Sequence, residues 1–214
     1  MENLFINYSL FILFLPLLAF VVQIFFGKKL PRDGDWVSIG AISITLILSI
    51  IMFVSMILNA DPSFKKQAAF TWLDMGSFSV ELGFLIDNIT IVMLLVVSLI
   101  STCTHIFSTQ YLKGDIRYSR YFGYLGLFTF SMNGIVLADN LLAMYMFWEL
   151  VGVSSYLLIG HWFEKESAAN AAKKAFLTNR VGDIGFFIGI MIIYTAIGSF
   201  AFDDIFRGVS AELI

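Results

Sequence analysis

Three ionisable residues stand where their types and spacing could carry protons. Glu149 lies near the middle of an apolar run, LLAMYMFWELVGVSSYLLIGH, over residues 141–161. At a helical rise of about 1.5 Å per residue it sits roughly 12 Å from Leu141 and roughly 18 Å from His161, close to the centre of a hydrocarbon layer about 30 Å thick. An acidic side chain at that depth costs at least roughly 2.5–3.5 kcal/mol on insertion scales. Arg180 and Asp183 lie in a second run, AKKAFLTNRVGDIGFFIGIMIIY, on one helical face with Lys173 and Phe176. With Lys173 at the inner boundary, Arg180 is about 10 Å deep and Asp183 about 15 Å deep. Two acids and an arginine stepped from the membrane centre toward one surface suit a proton or cation path. Arg180 and Asp183, three residues apart, could instead simply neutralise each other. Glu149 has no cation within reach in its own helix, so it carries the stronger functional argument.

The elements that must hold these residues are membrane spans. Of the 214 residues, 59% are hydrophobic and only 14% charged, and the mean hydropathy is +0.86, so the chain is an integral membrane protein. Six spans are expected, near residues 8–26, 36–58, 86–107, 121–138, 141–161 and 172–199, forming a single all-α membrane domain over 1–214. The first contains Pro16 and reads as a retained, kinked helix: its start, Met1-Glu2-Asn3, lacks the basic residues of a signal peptide. Asp87 and Asn88 suit the start of the third span. Between the second and third spans, alternation through Phe70, Trp72, Phe78, Val80 and Leu82 around Asp74-Met75-Gly76-Ser77 indicates a short surface β-hairpin. Asp139-Asn140 forms a tight turn between the fourth and fifth spans, and a mildly amphipathic tail follows from Phe200.

Basic residues define the orientation. Lys28, Lys29, Arg32, Lys113, Arg117, Arg120, Lys165, Lys173 and Lys174 flank alternate crossings on one side, against Lys65, Lys66 and Arg207 on the other. The N-terminus is therefore expected outside, with the hairpin, the Asp139-Asn140 turn and the tail. This pattern leans toward a bacterial inner (plasma) membrane rather than a mitochondrial one.

The same inventory limits other roles. The net charge of −3 is evenly spread and offers no basic patch for nucleic acid. Cys103 is the single cysteine and has no Cys or His neighbour at metal-ligand spacing, so no metal or cofactor site is legible. His105 and His161 read as packing or interfacial residues, and Cys103 and the methionines as lipid-facing or core residues. Tyr145, Glu149, Gly152, Tyr156 and Gly160 form a stripe whose glycines would admit a neighbouring helix, and Gly182, Gly185 and Gly189 form another small-residue face.

Several motifs carry a family resemblance. Residues 147–160, FWELVGVSSYLLIG, preceded by LADNLL at 137–142, resemble the antiporter-like membrane subunits of proton-pumping NADH:quinone oxidoreductase, respiratory complex I. AFLTNRVGD at 175–183 and YSRYF at 118–122 resemble them too, and point to the distal subunit called L in bacteria and 5 in mitochondria. The large subunit of multisubunit cation/proton antiporters shares the Trp-Glu helix, but the 178–183 run fits complex I better.

The resemblance implies a membrane-arm subunit of a proton-translocating enzyme complex, partnered by the other membrane-arm subunits and the lipid bilayer. Glu149 would be its buried carboxylate, exchanging protons as a lysine on a broken helix pairs with it and separates. Asp183 would belong to the lateral chain of charged groups, with Arg180 setting its potential. NADH, FMN, iron–sulfur and quinone sites would lie on partner subunits. Burial raises a carboxyl's affinity for protons and a nearby cation lowers it, so moving the cation switches uptake and release. Family members continue for several hundred residues, so the chain reads as the N-terminal portion, holding the acidic half of the switch. A cation/proton antiporter subunit, and a structural membrane fragment without transport, are the competing readings.

Overall fold

The computed structural model describes residues 2–59, 61–74 and 79–210. Six long helices run back and forth: α1 (Glu2–Phe26), α2 (Asp35–Asn59), α3 (Asn88–Tyr111), α4 (Tyr118–Leu137), α5 (Leu141–Ile159) and α6 (Glu166–Ile197). A short α7 (Phe202–Ser210) falls in the expected tail. Between α2 and α3 stand two antiparallel strands, β1 (Lys65–Asp74) and β2 (Ser79–Asp87), so the hairpin is present and longer than its alternation suggests. Its turn residues, Met75, Gly76 and Ser77, and the adjoining Phe78 lie outside the described residues.

Among the described residues, five helices are long and apolar enough to cross a membrane: α1, α2, α3, α5 and α6. The expected fourth span, α4, is helical but less apolar, because Arg120, Ser131 and Asn133 interrupt it. Its position explains how it tolerates them. It packs on α1, α3 and α5, and Phe122, Ser131 and Asn133 have no exposed surface.

The α1–α4 seam also accommodates Pro16. Proline has no N–H to give the carbonyl four residues back, which leaves the Ile12 oxygen without its helical donor. Asn133 Nδ2 donates to that oxygen at 3.1 Å, a repair that lipid could not supply. On the same seam a Cβ on Gly126 would stand 2.9 Å from the Pro16 carbonyl, so only glycine lets the two backbones approach this closely.

Asp87 caps α3, accepting from Thr90 N at 2.7 Å, as its position before the apolar run anticipates. Ile86 and Asp87 belong to β2, so α3 starts two residues later than the expected span. Asn140 caps α5 in the same manner, through Ala143 N at 2.7 Å.

The two ends of the bundle differ in chemistry. At one end Asp139 accepts from Gly83 N (3.1 Å) and from Gln67 Nε2 (3.3 Å), fastening the hairpin to the α4–α5 turn. Phe202 N donates to the Asp139 carbonyl at 3.2 Å and Lys65 pairs with Asp203, which brings α7 to the same place. The segments expected on the outer side therefore meet at one end. At the other end lie the basic connections. Arg117 pairs with Glu164, and Asp115 accepts from Trp162 Nε1 at 2.8 Å and contacts His161 Nε2 at 3.3 Å. Tyr118 donates to the buried Asp35 at 2.9 Å. A turn through Arg32, Asp33 and Gly34, all with positive φ, leads into α2, and Gln23 Nε2 donates to the Gly34 carbonyl.

Candidate functional site at the α5–α6 interface

α6 packs against α5, and the two helices bring the three sequence-identified residues together. Arg180 forms an ion pair with Glu149 through Nη1, and the same nitrogen lies 3.6 Å from Asp183 Oδ2. One guanidinium thus stands between two carboxylates from different helices. Asp183 is 4% exposed, which makes it the most secluded of the three.

Their placement follows from the helical repeat. Phe176, Arg180 and Asp183 share a face of α6, and the Phe176 ring lies beneath the guanidinium, 4.6 Å from its carbon to the ring centroid. Across from them, the α5 stripe faces α6 as its spacing suggests. Tyr145 packs on Phe186 and Phe187 with centroids 5.7 and 5.5 Å apart, and Tyr156 packs on Phe176 at 5.5 Å.

Arg180 reaches across the interface to Glu149 in addition to its contact with Asp183 on its own helix. The i, i+3 neutralisation and the inter-helix pair coexist, because a guanidinium offers several N–H donors in a fixed fork. Its Nε is buried and has no hydrogen-bond partner among the described residues.

Trp148 is a participant that the residue types alone did not single out. Its indole Nε1 donates to Asp183 Oδ1 at 2.9 Å, fixing the carboxylate from the side opposite Arg180's contact with Oδ2. The available signal was a tryptophan in mid-span, since an indole N–H in an apolar layer requires an acceptor.

The glycines divide into two groups. Ala172 Cβ would approach a Cβ on Gly160 to 3.2 Å, so the small residue does permit contact there. Gly152, Gly182, Gly185 and Gly189 have open space where a Cβ would be, so no helix among the described residues packs against them as expected. Gly152 and Gly182 instead border a cavity of about 540 Å³ that also reaches Trp148, Ser155, Asn179 and Asp183. It gives water-sized molecules room beside the Asp183 carboxylate.

Neither histidine joins this group. His105 is fully buried, with Nδ1 2.8 Å from the Ser101 carbonyl and its ring edge-on to Phe122. His161 lies in the α5–α6 connection beside Asp115, where burial holds its imidazole below the ordinary value of 6.5 and Asp115 opposes that effect. At the same end, Arg117 holds the Glu164 carboxyl below its ordinary value of 4.5, and Glu164 raises the guanidinium in return.

Comparison with known proteins gives a consistent set of relatives. Residues 138–213 match a family described as "NADH:quinone oxidoreductase/Mrp antiporter, TM", and residues 72–122 match "NADH-Ubiquinone oxidoreductase (complex I), chain 5 N-terminus". The chain is 48% identical over 167 residues to chloroplastic NAD(P)H-quinone oxidoreductase subunit 5 of Mesostigma viride, covering 78% of this chain and 25% of the relative. It is 46% identical over 210 residues to the corresponding protein of Chlorokybus atmophyticus, covering 94% of this chain and 32% of that protein. The chain therefore spans between a quarter and a third of the length of these curated relatives. Among solved structures, the Mrp complex from Dietzia sp. DQ12-45-1b contains a chain that superposes with a TM-score of 0.75 at 20% identity, over 92% of this chain and 20% of that one. At that identity the likeness concerns the fold.

Proposed function

The chain belongs to the antiporter-like membrane subunits of NADH:quinone oxidoreductase, of the subunit 5 type, and we propose that it contributes a proton-relay segment to such an enzyme. The observation that carries this reading is the single guanidinium held between Glu149 and Asp183 inside an apolar pair of helices. A carboxylate paired with a cation releases its proton, and one left in an apolar site retains it. Displacing Arg180 from Glu149 therefore promotes proton uptake there, and restoring the pair promotes release. Asp183, oriented by Trp148 and bordering the cavity, is the second station. In this reading the redox chemistry, with NADH, flavin, iron–sulfur centres and quinone, belongs to partner subunits of the complex.

We take α4 as a sixth crossing, since it runs antiparallel between two helices that are themselves long and apolar enough to span. The N-terminus and the hairpin then face outward and the basic connections inward, in a bacterial inner membrane. Glu149→Gln in the full-length subunit of the assembled oxidoreductase tests the proton role. Lowered proton translocation per electron pair is the expected result, and unimpaired pumping with normal assembly overturns it. Sodium-dependent proton exchange without dehydrogenase partners is the outcome that favours a cation/proton antiporter.

A further inference from the structure

A second cavity, of about 470 Å³, lies at the basic end of the bundle and takes no part in the relay described above. Its floor is the end of α5, at Tyr156, Leu157 and Gly160, and its sides come from the start of α4 and the first turns of α6. Arg120, Arg117 and Lys173 reach it from those sides. Arg117 is already engaged by Glu164. Arg120 and Lys173 are exposed and have no ion-pair partner among the described residues. Tyr124, one helical turn after Arg120, adds a phenol to the same wall.

Two unpartnered cations over an apolar floor, at the end of membrane helices, match the chemistry of an anionic phosphate ester at a bilayer surface. The cations meet the phosphate, the tyrosines sit at headgroup level, and the apolar floor continues toward the acyl region. A soluble anion would use the cations and leave the floor bare. We infer that the α4–α5–α6 groove, through Arg120 and Lys173, binds the phosphate group of an anionic phospholipid of the inner leaflet.

The test uses the full-length subunit in its assembled complex, reconstituted in nanodiscs of phosphatidylcholine with or without phosphatidylglycerol. Phospholipid retained after delipidation is counted by mass spectrometry. The wild-type complex is expected to retain one more phosphatidylglycerol than Arg120→Gln/Lys173→Gln, the variant's affinity being lower by roughly twenty-five-fold for the two charges removed. Arg120→Lys/Lys173→Arg, which keeps both charges, is expected to retain the lipid and controls for folding. Binding of radiolabelled inorganic phosphate that depends on Arg120 and Lys173, with no retained lipid, would assign the phosphate site to a soluble anion. Equal lipid retention in the wild type and the Gln variant, with no phosphate binding, overturns the inference.

Discussion

Asn133 donates to the Ile12 carbonyl at 3.1 Å, the oxygen that Pro16 deprives of its helical partner, so α4 completes the hydrogen bonding of α1. In an apolar layer neither group has water to turn to. Asn133→Ala is expected to destabilise the folded chain by roughly 1–3 kcal/mol, the penalty for an unsatisfied buried acceptor. In a Pro16→Ala background, where residue 16 again has an N–H, the same substitution is expected to cost much less. Thermal unfolding of the four proteins of that double-mutant cycle in detergent measures the coupling; simple additivity would show that the two residues act independently.

Arg180→Met leaves Glu149 and Asp183 without their shared cation. We expect a loss of up to roughly 3 kcal/mol, seen as reduced amounts of folded protein in the membrane. Adding Glu149→Gln should restore part of that loss, since it removes one uncompensated charge. A double variant that is less abundant than Arg180→Met would contradict the ion-pair reading.

Trp148→Phe keeps an aromatic ring against Phe186, 6.1 Å from it between centroids, and removes only the indole donor. A hydrogen bond to a charged acceptor contributes about 1.5–3 kcal/mol. The expected outcome is a loss of that order in the stability of the α5–α6 pair, read as a lower melting temperature of the purified complex. An unchanged melting temperature in a well-folded variant would remove Trp148 from the site.

Gly83→Ala places a methyl carbon 2.1 Å from Asp139 Oδ2 and 2.8 Å from the Ala68 carbonyl. The side chain could swing aside, but the strand backbone could not without losing its pairing. A cost of roughly 1–3 kcal/mol is expected, together with faster protease cleavage in the β1–β2 segment of intact protein in vesicles. Unchanged cleavage would mean that the Asp139 clamp does not hold the hairpin.

At the basic end, the dependence on pH follows from two opposite kinds of group. His161 has its folded value below 6.5, chiefly through burial, so its neutral form is favoured and its contribution is present above pH 6.5 and lost as pH falls through the lower folded value. Glu164, held down by Arg117, contributes above pH 4.5 and loses that contribution at still lower pH. The melting temperature should therefore start to fall just below pH 6.5, and His161→Gln should flatten that first limb while leaving the more acid one.

Much of this arrangement is legible in the residues. Long apolar runs bounded by basic turns locate the spans, alternation near Phe70 and Trp72 locates the hairpin, and the 3.6-residue repeat puts Phe176, Arg180 and Asp183 on one face. What the residues leave open is the choice of partner between helices. Arg180 to Asp183 is an intra-helix distance that any helix would produce, whereas Arg180 to Glu149 depends on how α6 is rotated against α5, which local spacing does not encode. The repair of Pro16 by Asn133, 117 positions along the chain, is hidden for the same reason. α4 shows the converse: its polar residues weaken the hydropathy signal, yet Ser119 and Asn133 are bonded to α1 and Thr129 to α3.

Among the described elements, α6 packs on α5, with Ala172 against Gly160 near its start, and contacts α7 beyond its end. A turn of α6 about its own axis would carry Arg180 away from Glu149 and take Asp183 with it, since both ride on the same rod, at the cost of the Trp148–Asp183 hydrogen bond. The guanidinium would therefore change its distance to one carboxylate while keeping the other as a constant companion, and the helix could rotate without ever exposing a bare positive charge to the apolar layer.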